Sequence, residues 1–230
     1  MLTVQDLSVE YSDGKRAIDS VNFNISPSES VALIGANGAG KTSLLLALVG
    51  VLSAKSGHIK VHDMELNKKT RGDFRTRVGL VFQNPDDQLF MANVYEDVAF
   101  GPRSFGSDEE ESKTRVTTVL DSLNIRHLEK RSPLKLSGGE KRLAAVATVL
   151  SMNPDFILFD EPTAFLDPKA QRNLKNIIQN LPQGKLIATH DLSFAAQTCS
   201  RVIILKDGQV LADDSTEVLK NTALLEAAGL

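Results

Sequence analysis

Eight consecutive residues near the start of the chain have the types and spacing needed to hold a phosphate group. The run is Gly35-Ala36-Asn37-Gly38-Ala39-Gly40-Lys41-Thr42, which matches the pattern of glycine, four residues, and then Gly-Lys-Ser/Thr. The glycines let the backbone curl so that its N–H groups point at phosphate oxygens. Lys41 can reach the β- and γ-phosphates, the Thr42 hydroxyl can ligate Mg²⁺, and Ser43 offers a second hydroxyl to the phosphates.

The elements on either side of this run are the ones that a phosphate loop requires. Residues 30–34 form a short apolar run that predicts a buried strand, and residues 43–48 predict a helix. The helix presents its positive N-terminal end to the same anion. We therefore interpret the run as a nucleotide-phosphate loop rather than as a glycine-rich turn that only joins two elements.

Polar residues also stand at the predicted ends of three other strands. Asp160 and Glu161 follow the apolar run 156–159, His190 follows 185–189, and Gln83 follows 77–82. In parallel sheets, ligands bind beyond the carboxyl ends of the strands. These residues can therefore converge with the phosphate loop on one nucleotide.

Each of these side chains suits a step of nucleotide hydrolysis. An unpaired carboxylate at Asp160 is costly at the end of an apolar strand, and a bound Mg²⁺ removes that cost. Glu161 should point away from its neighbour and can polarise the water that attacks the γ-phosphate. Gln83 can orient that water or contact the metal, and His190 can hydrogen-bond the γ-phosphate. Taken singly, each residue also has a structural alternative: a strand cap, a loop amide or a satisfied core histidine.

A second anion site is predicted at the start of another helix. Leu136 is followed by Ser137, Gly138, Gly139 and Glu140, and residues 141–150 predict the helix. One domain rarely needs two phosphate sites for one nucleotide. The pattern therefore predicts that this site serves the nucleotide of another subunit, in a head-to-tail dimer with ATP at the interface. The alternative is an ordinary capped helix start.

The organisation of the chain indicates an α/β core with an inserted helical region. Residues 2–11 alternate apolar and polar side chains, Asp13-Gly14 gives a turn, and residues 17–25 predict a second strand, which together predict an antiparallel hairpin beside the main sheet. The ring of Tyr11, at the end of the first strand, can stack on a purine or pack against the turn, and spacing alone favours packing. Residues 83–150 carry helical signals, including a capping box that begins at Ser107. We predict one domain, 1–230, with a nucleotide-binding core at 1–82 and 151–230 and a helical subdomain at 83–150.

Composition excludes several classes of protein. The chain has 230 residues, a formal net charge of -3 and a pI near 5.8, which gives no support to nucleic acid as a partner. Cys199 is its one cysteine, so no internal disulfide forms, which suits a reducing compartment. We find no signal peptide and no apolar stretch of the ~20 residues that span a bilayer. A membrane is therefore expected to enter only through a partner.

Together these motifs resemble the ATP-binding subunits of ABC transporters over the whole chain. Residues 136–140 resemble the signature motif, with Glu140 where Gln is commoner, and 156–161 resemble the Walker B strand with its catalytic glutamate. Residues 164–167 resemble the D-loop, which usually begins Ser-Ala. Gln83 matches the Q-loop, His190 the switch histidine and Tyr11 the aromatic platform for adenine, which reverses the preference for packing.

The resemblance implies a fold, cofactors and a mechanism. The implied fold is a P-loop NTPase core with a mostly parallel sheet, an antiparallel β subdomain and an inserted helical subdomain. ATP and Mg²⁺ are the implied cofactors. Two ATP molecules are expected to close a dimer, each between one subunit's phosphate loop and the other's Ser137-Gly138-Gly139-Glu140 segment. Hydrolysis is expected to reopen the dimer and to transmit the motion to a membrane partner.

A narrower resemblance lies in 81–90 and 94–102, which look like the corresponding segments of energy-coupling factor (ECF) ATPases. These drive the uptake of vitamins or of cobalt and nickel. The implied partners are a homodimeric or paired ATPase subunit, a transmembrane coupling subunit and a substrate-binding membrane subunit, with the chain peripheral on the cytoplasmic face of the membrane. The chain lacks the longer C-terminal extension that many relatives carry, and this shorter form resembles the ATPases of dedicated biotin or cobalt/nickel systems more than those of shared vitamin modules. The alternatives are an ATPase of another ABC transporter type, a soluble non-transport ABC ATPase and a non-hydrolysing regulator.

Overall fold

The computed structural model describes residues 1–230 and divides them into two compact units. The first unit contains residues 1–80, 155–161 and 182–230, and the second contains 81–154 and 162–181. Residues 162–181 thus group with the helical unit, whereas the sequence analysis assigned them to the core. The subdomain boundaries given above stay a prediction.

Ten strands and eight α-helices make up the chain. The strands are β1 (Leu2–Glu10), β2 (Arg16–Ile25), β3 (Ser30–Ile34), β4 (Ser56–Val61), β5 (Met64–Glu65), β6 (Val78–Val81), β7 (Phe156–Asp160), β8 (Gly184–Ala188), β9 (Arg201–Lys206) and β10 (Gln209–Ser215). The helices are α1 (Lys41–Leu48), α2 (Arg71–Arg77), α3 (Val94–Ser104), α4 (Glu109–Ser122), α5 (Gly138–Leu150), α6 (Pro168–Asn180), α7 (Leu192–Thr198) and α8 (Thr222–Ala227).

The main sheet has six strands in the order β10-β9-β3-β8-β7-β6. β3 pairs in parallel with β8 and β9, β7 pairs in parallel with β8, and β9 pairs antiparallel with β10. All five residues of β7 and of β8 are buried. Mostly apolar runs form strands of this kind because helices cover both faces of a parallel sheet. The predicted α/β class is confirmed.

A second sheet is antiparallel, with the order β2-β1-β4-β5. The predicted hairpin of β1 and β2 is confirmed: Leu2 pairs with Ile25, and the register ends at Glu10 and Arg16. Alternation in β2 buries Val21, Phe23 and Ile25, and a register shift between Ile18 and Val21 buries Ile18 as well. The turn that follows β1 begins at Tyr11, where the chain passes close to α1.

The helical unit contains α3 to α6, and its helices begin at side-chain caps. Asn93 caps α3, Asp108 caps α4 and Ser137 caps α5. The prediction of a cap at Ser107 was wrong by one residue, because the Asp108 carboxylate accepts the Glu111 N–H at 2.8 Å. An aspartate is as good a cap as a serine, and here it begins the helix one residue later.

Candidate functional site

The predicted phosphate loop connects β3 to α1 through a left-handed turn. Gly38 has φ +83° and Gly40 has φ +107°, a region that side chains rarely adopt. A Cβ atom at Gly40 would also lie 2.6 Å from the carbonyl oxygen of Ala17. The backbone therefore reaches α1 only with glycine at this point, and the first turn of α1 is directed at the loop.

The Lys41 ammonium lies over the loop that precedes it. Its Nζ donates to the carbonyl oxygens of Gly35 at 2.7 Å and Ala36 at 3.2 Å, and the side chain is buried. An ammonium has three N–H donors, so two of them position the group and the third can reach a phosphate oxygen. The loop thus holds a positive charge at the place where the sequence predicts phosphate.

Thr42 and Asp160 provide a pair of oxygen atoms that can ligate a metal ion next to this charge. The Thr42 hydroxyl donates to Oδ2 of Asp160 at 2.8 Å. Asp160 is the last residue of the buried strand β7, and Thr42 is the second residue of α1. A hydroxyl oxygen and a carboxylate oxygen are the ligand types that Mg²⁺ prefers, so the residues present fit that ion.

Glu161 turns away from its neighbour and toward His190. Its Oε2 lies 2.9 Å from Nδ1 of His190, while its own N–H donates to Ala188 O at 2.9 Å. Glu161 has φ +43°, a strained conformation for a residue with a side chain, and such strain clusters at functional sites. The His190 side chain is 65% exposed and the Glu161 side chain is 10% exposed, so the pair is open to solvent on the side of the imidazole.

Tyr11 is joined to the phosphate-loop helix by a hydrogen bond. Its hydroxyl lies 2.7 Å from Oγ of Ser43, and the residue is 39% exposed. The ring therefore stands beside α1 rather than packing wholly against its own turn. Sequence patterning identified both residues but gave no sign of the contact between them.

The helical unit holds Gln83 in place through a buried arginine that sequence reasoning missed. Arg142 in α5 is 1% exposed and donates from its two terminal nitrogens to Phe82 O and Gln83 O, each at 2.5 Å. Gln88 adds bonds to Ala145 O at 2.8 Å and, through its Oε1, from the Phe82 N–H at 3.1 Å. The signal was present in the sequence: Arg142 occupies a position on the apolar face that Ala145 and other buried residues continue.

The Ser137 segment begins α5 with a capping box. The Glu140 carboxylate accepts the Ser137 N–H at 2.7 Å, and Ser137 Oγ accepts the Glu140 N–H at 3.3 Å. The backbone N–H of Ser137 holds the pKa of Glu140 below its ordinary value, so the carboxyl is ionised at neutral pH. Gly138 and Gly139 follow Ser137 in the first turn. The glutamate keeps the cap that a glutamine would make, with a negative charge added.

A cavity of about 470 Å³ lies beside this helix start within the helical unit. The residues that line it come from the Ser137 segment, from α5 and from the start of α6: Ser137, Gly139, Glu140, Arg142, Asp167 and Lys169, among others. Phe165, just before α6, is 93% exposed and has φ +62°. The helical unit therefore exposes a polar, partly concave surface with an aromatic side chain near it.

The predicted site residues thus fall into two sets. The first unit brings together the phosphate loop, Asp160, Glu161 and His190, with Tyr11 bonded to Ser43. The second unit contains Gln83 and the Ser137-Gly138-Gly139-Glu140 segment, with Arg142 joining α5 to the Gln83 backbone. The first set fits a nucleoside triphosphate and a divalent cation. The roles of the individual residues stay predictions.

Comparison with known proteins identifies the class. Residues 18–164 match the ABC transporter family. A putative ABC transporter ATP-binding protein of Geobacter sulfurreducens is 43% identical over all of this chain and 93% of its own length. The energy-coupling factor transporter ATP-binding protein EcfA of Carboxydothermus hydrogenoformans is 40% identical over 99% of this chain and 85% of its own length.

Solved structures similar to this chain come from the same class of protein. The cbiO1 protein of Clostridium perfringens, part of the ABC transporter complex cbiONQ, has a TM-score of 0.85 and 34% identity over 97% of this chain and 92% of its own. The ATP-binding cassette MJ0796, solved as a dimer in a post-hydrolysis state with ADP and Pi, has a TM-score of 0.83 and 25% identity over 94% of this chain and 99% of its own.

The chain belongs to the ABC transporter family, as an ATP-binding subunit. It is an ATPase whose cofactors are ATP and Mg²⁺, and subunits of this kind act as dimers that pair with transmembrane subunits. None of the helices in the structure is both long enough and apolar enough to cross a bilayer. The resemblance to ECF-type ATPases stated from the sequence is confirmed.

Proposed function

We propose that this chain is the ATP-hydrolysing subunit of an ECF-type importer, which drives uptake of a cobalt or nickel ion or of a vitamin. The observation that carries the proposal is the likeness to cbiO1, at a TM-score of 0.85 over 97% of the chain. The EcfA relative, at 40% identity over nearly the whole chain, supports the same type. The segments 81–90 and 94–102, which resemble those of ECF ATPases, add a feature of the sequence itself.

At the hydrolytic centre we assign the chemistry to the first unit. Lys41 and the N–H groups of the loop bind the β- and γ-phosphates, and Tyr11 stacks on adenine. Thr42 and Asp160, 2.8 Å apart, hold Mg²⁺. Glu161 polarises the attacking water, and His190, 2.9 Å from it, hydrogen-bonds the γ-phosphate and orients the carboxylate.

The helical unit serves the nucleotide of a second subunit. Ser137, Gly138 and Gly139 present the N-terminus of α5 to the γ-phosphate held by the partner's loop. Glu140 keeps the Ser137 backbone in its capped conformation. Gln83 contacts the metal or the attacking water, and Arg142 fixes the carbonyl of that residue to α5.

Transport follows from the difference in affinity between closed and open dimers. Two ATP molecules stabilise the closed dimer because each contacts both subunits, and loss of the γ-phosphate removes those shared contacts. The motion passes to a transmembrane coupling subunit and a substrate-binding membrane subunit. The chain lies at the cytoplasmic face of the membrane, as a homodimer or beside a second ATPase subunit.

Purification of the tagged chain from detergent-solubilised membranes, with its partners identified by mass spectrometry, tests this proposal. We expect a transmembrane coupling subunit of the ECF type and a small substrate-binding membrane protein, whose ligand identifies the cargo. Recovery of another type of ABC transmembrane subunit would leave the ATPase assignment and remove the ECF assignment. Sedimentation with ribosomes, and no membrane partner, would contradict transport altogether.

A further inference from the structure

The hydrogen bond between Tyr11 and Ser43 joins two parts of the nucleotide site that differ in function. Tyr11 belongs to the turn after β1 and Ser43 to the first turn of α1, 32 residues further along. Ser43 is 8% exposed, so its hydroxyl has little access to water. The only hydrogen bond of the Ser43 side chain in the structure is the one to Tyr11 Oη, at 2.7 Å.

The proton count of the two hydroxyls limits how they can act. Each hydroxyl has one O–H donor and accepts through its lone pairs. If Ser43 donates to Tyr11, it has no proton left for a phosphate oxygen. If Tyr11 donates to Ser43, the Ser43 proton can be directed at a phosphate oxygen while its lone pair accepts. Only the second arrangement makes Ser43 a phosphate ligand.

We propose that the Tyr11 hydroxyl is a positioning group for phosphate, because it donates to Ser43 Oγ and so aims the Ser43 proton at the bound nucleotide's phosphate. This inference rests on the proposed function, in which ATP binds at the loop. Tyr11 then makes two separable contributions: its ring binds the base, and its hydroxyl acts through Ser43 on the phosphates. One side chain therefore contributes to the binding of both parts of the nucleotide.

The backbone around Tyr11 holds the ring for this role. The Tyr11 N–H donates to Lys15 O and its carbonyl accepts from the Gly14 N–H, each at 2.9 Å. The turn is therefore closed by two backbone bonds at the residue itself, so the backbone has little conformational entropy left to lose when ligand binds. A charged acceptor on Ser43 polarises that hydroxyl, which in turn strengthens its bond from Tyr11.

The effect should appear with a ligand that has no base. Isothermal titration in Mg²⁺ compares ATP with inorganic triphosphate for the wild type, Tyr11→Phe, Ser43→Ala and the double variant. Tyr11→Phe keeps the ring, so stacking on adenine is unchanged. We expect Tyr11→Phe to weaken both ligands by about threefold to tenfold, the value of one hydrogen bond. The double variant should be no weaker than Ser43→Ala alone, because the two residues act in series.

Tyr95→Phe is the matched control. Tyr95 is the other tyrosine of the chain and lies in α3 of the helical unit, so this substitution should leave both affinities unchanged. Unchanged triphosphate affinity in Tyr11→Phe would overturn the inference while ATP binding by the wild type still stands. Effects of Tyr11→Phe and Ser43→Ala that multiply in the double variant would also overturn it. Failure of the wild type to bind ATP at all would refute the proposed function and, with it, this inference.

Discussion

Replacement of Arg142 by methionine should destabilise the helical unit and displace Gln83. The guanidinium is 1% exposed and makes two 2.5 Å bonds to backbone carbonyls of Phe82 and Gln83. Hydrogen bonds to a charged group contribute about 1.5–3 kcal/mol each. Because both carbonyls are only partly buried and can regain some water, we take the lower value for each bond. The expected loss is about 3 kcal/mol in the free energy of unfolding.

Urea denaturation monitored by far-UV circular dichroism measures this loss. Arg126→Met is the matched control: Arg126 lies in the same unit, is 43% exposed, and pairs with Asp121 and Glu129 on the surface. Exposed pairs contribute about 0–1 kcal/mol, so the control should change little. A loss of less than about 1 kcal/mol for Arg142→Met, or one equal to the control, would refute the assignment of Arg142 as the group that fixes the Gln83 backbone.

Two further predictions concern the same unit. Burial raises the pKa of Asp97 although Phe90 and Met91 donate N–H bonds to its Oδ1, so the folded state binds this proton more tightly than the unfolded chain. The protonated Asp97 contributes its full stability below the unfolded pKa of about 4, and this contribution is lost as the pH rises through the folded pKa. Asp97→Asn should therefore raise the urea midpoint at pH 8 more than at pH 4. Equal shifts at the two pH values would contradict this prediction. Ser137→Arg should abolish ATP hydrolysis yet leave ATP affinity of the isolated subunit unchanged by titration. A loss of that affinity would contradict the assignment of Ser137 to the nucleotide of the partner.

Local patterning was sufficient to predict the phosphate loop. A buried strand, a glycine-rich turn and a helix follow one another without interruption, so the backbone positions of Lys41 and Thr42 depend on neighbours in sequence. The β1–β2 hairpin was predictable for the same reason, since alternation and a turn signal are both local. The polar ends of β7 and β8 could be placed because parallel strands share one carboxyl edge.

Contacts between distant segments could not be predicted. The position of Arg142 on the apolar face of α5 is a signal for burial, but its partners, the carbonyls of Phe82 and Gln83 about 60 residues earlier, could not be identified from sequence. The bond from Tyr11 to Ser43 likewise depends on how the turn after β1 meets α1. The cap at Asp108 differed from the predicted Ser107 because adjacent residues with equal cap preference cannot be ranked from sequence.

The central claim is that two ATP molecules close a dimer and that Glu161 is needed for their hydrolysis. The most direct test measures the oligomeric state of the Glu161→Gln variant in ATP and Mg²⁺ by size-exclusion chromatography with light scattering. Glutamine preserves the shape of the side chain but cannot accept a proton from water, so ATP should stay bound and keep its contacts with both subunits. We predict a stable dimer that contains two ATP molecules and turns over at a small fraction of the wild-type rate. A monomer in saturating ATP, or turnover at the wild-type rate, would contradict the account.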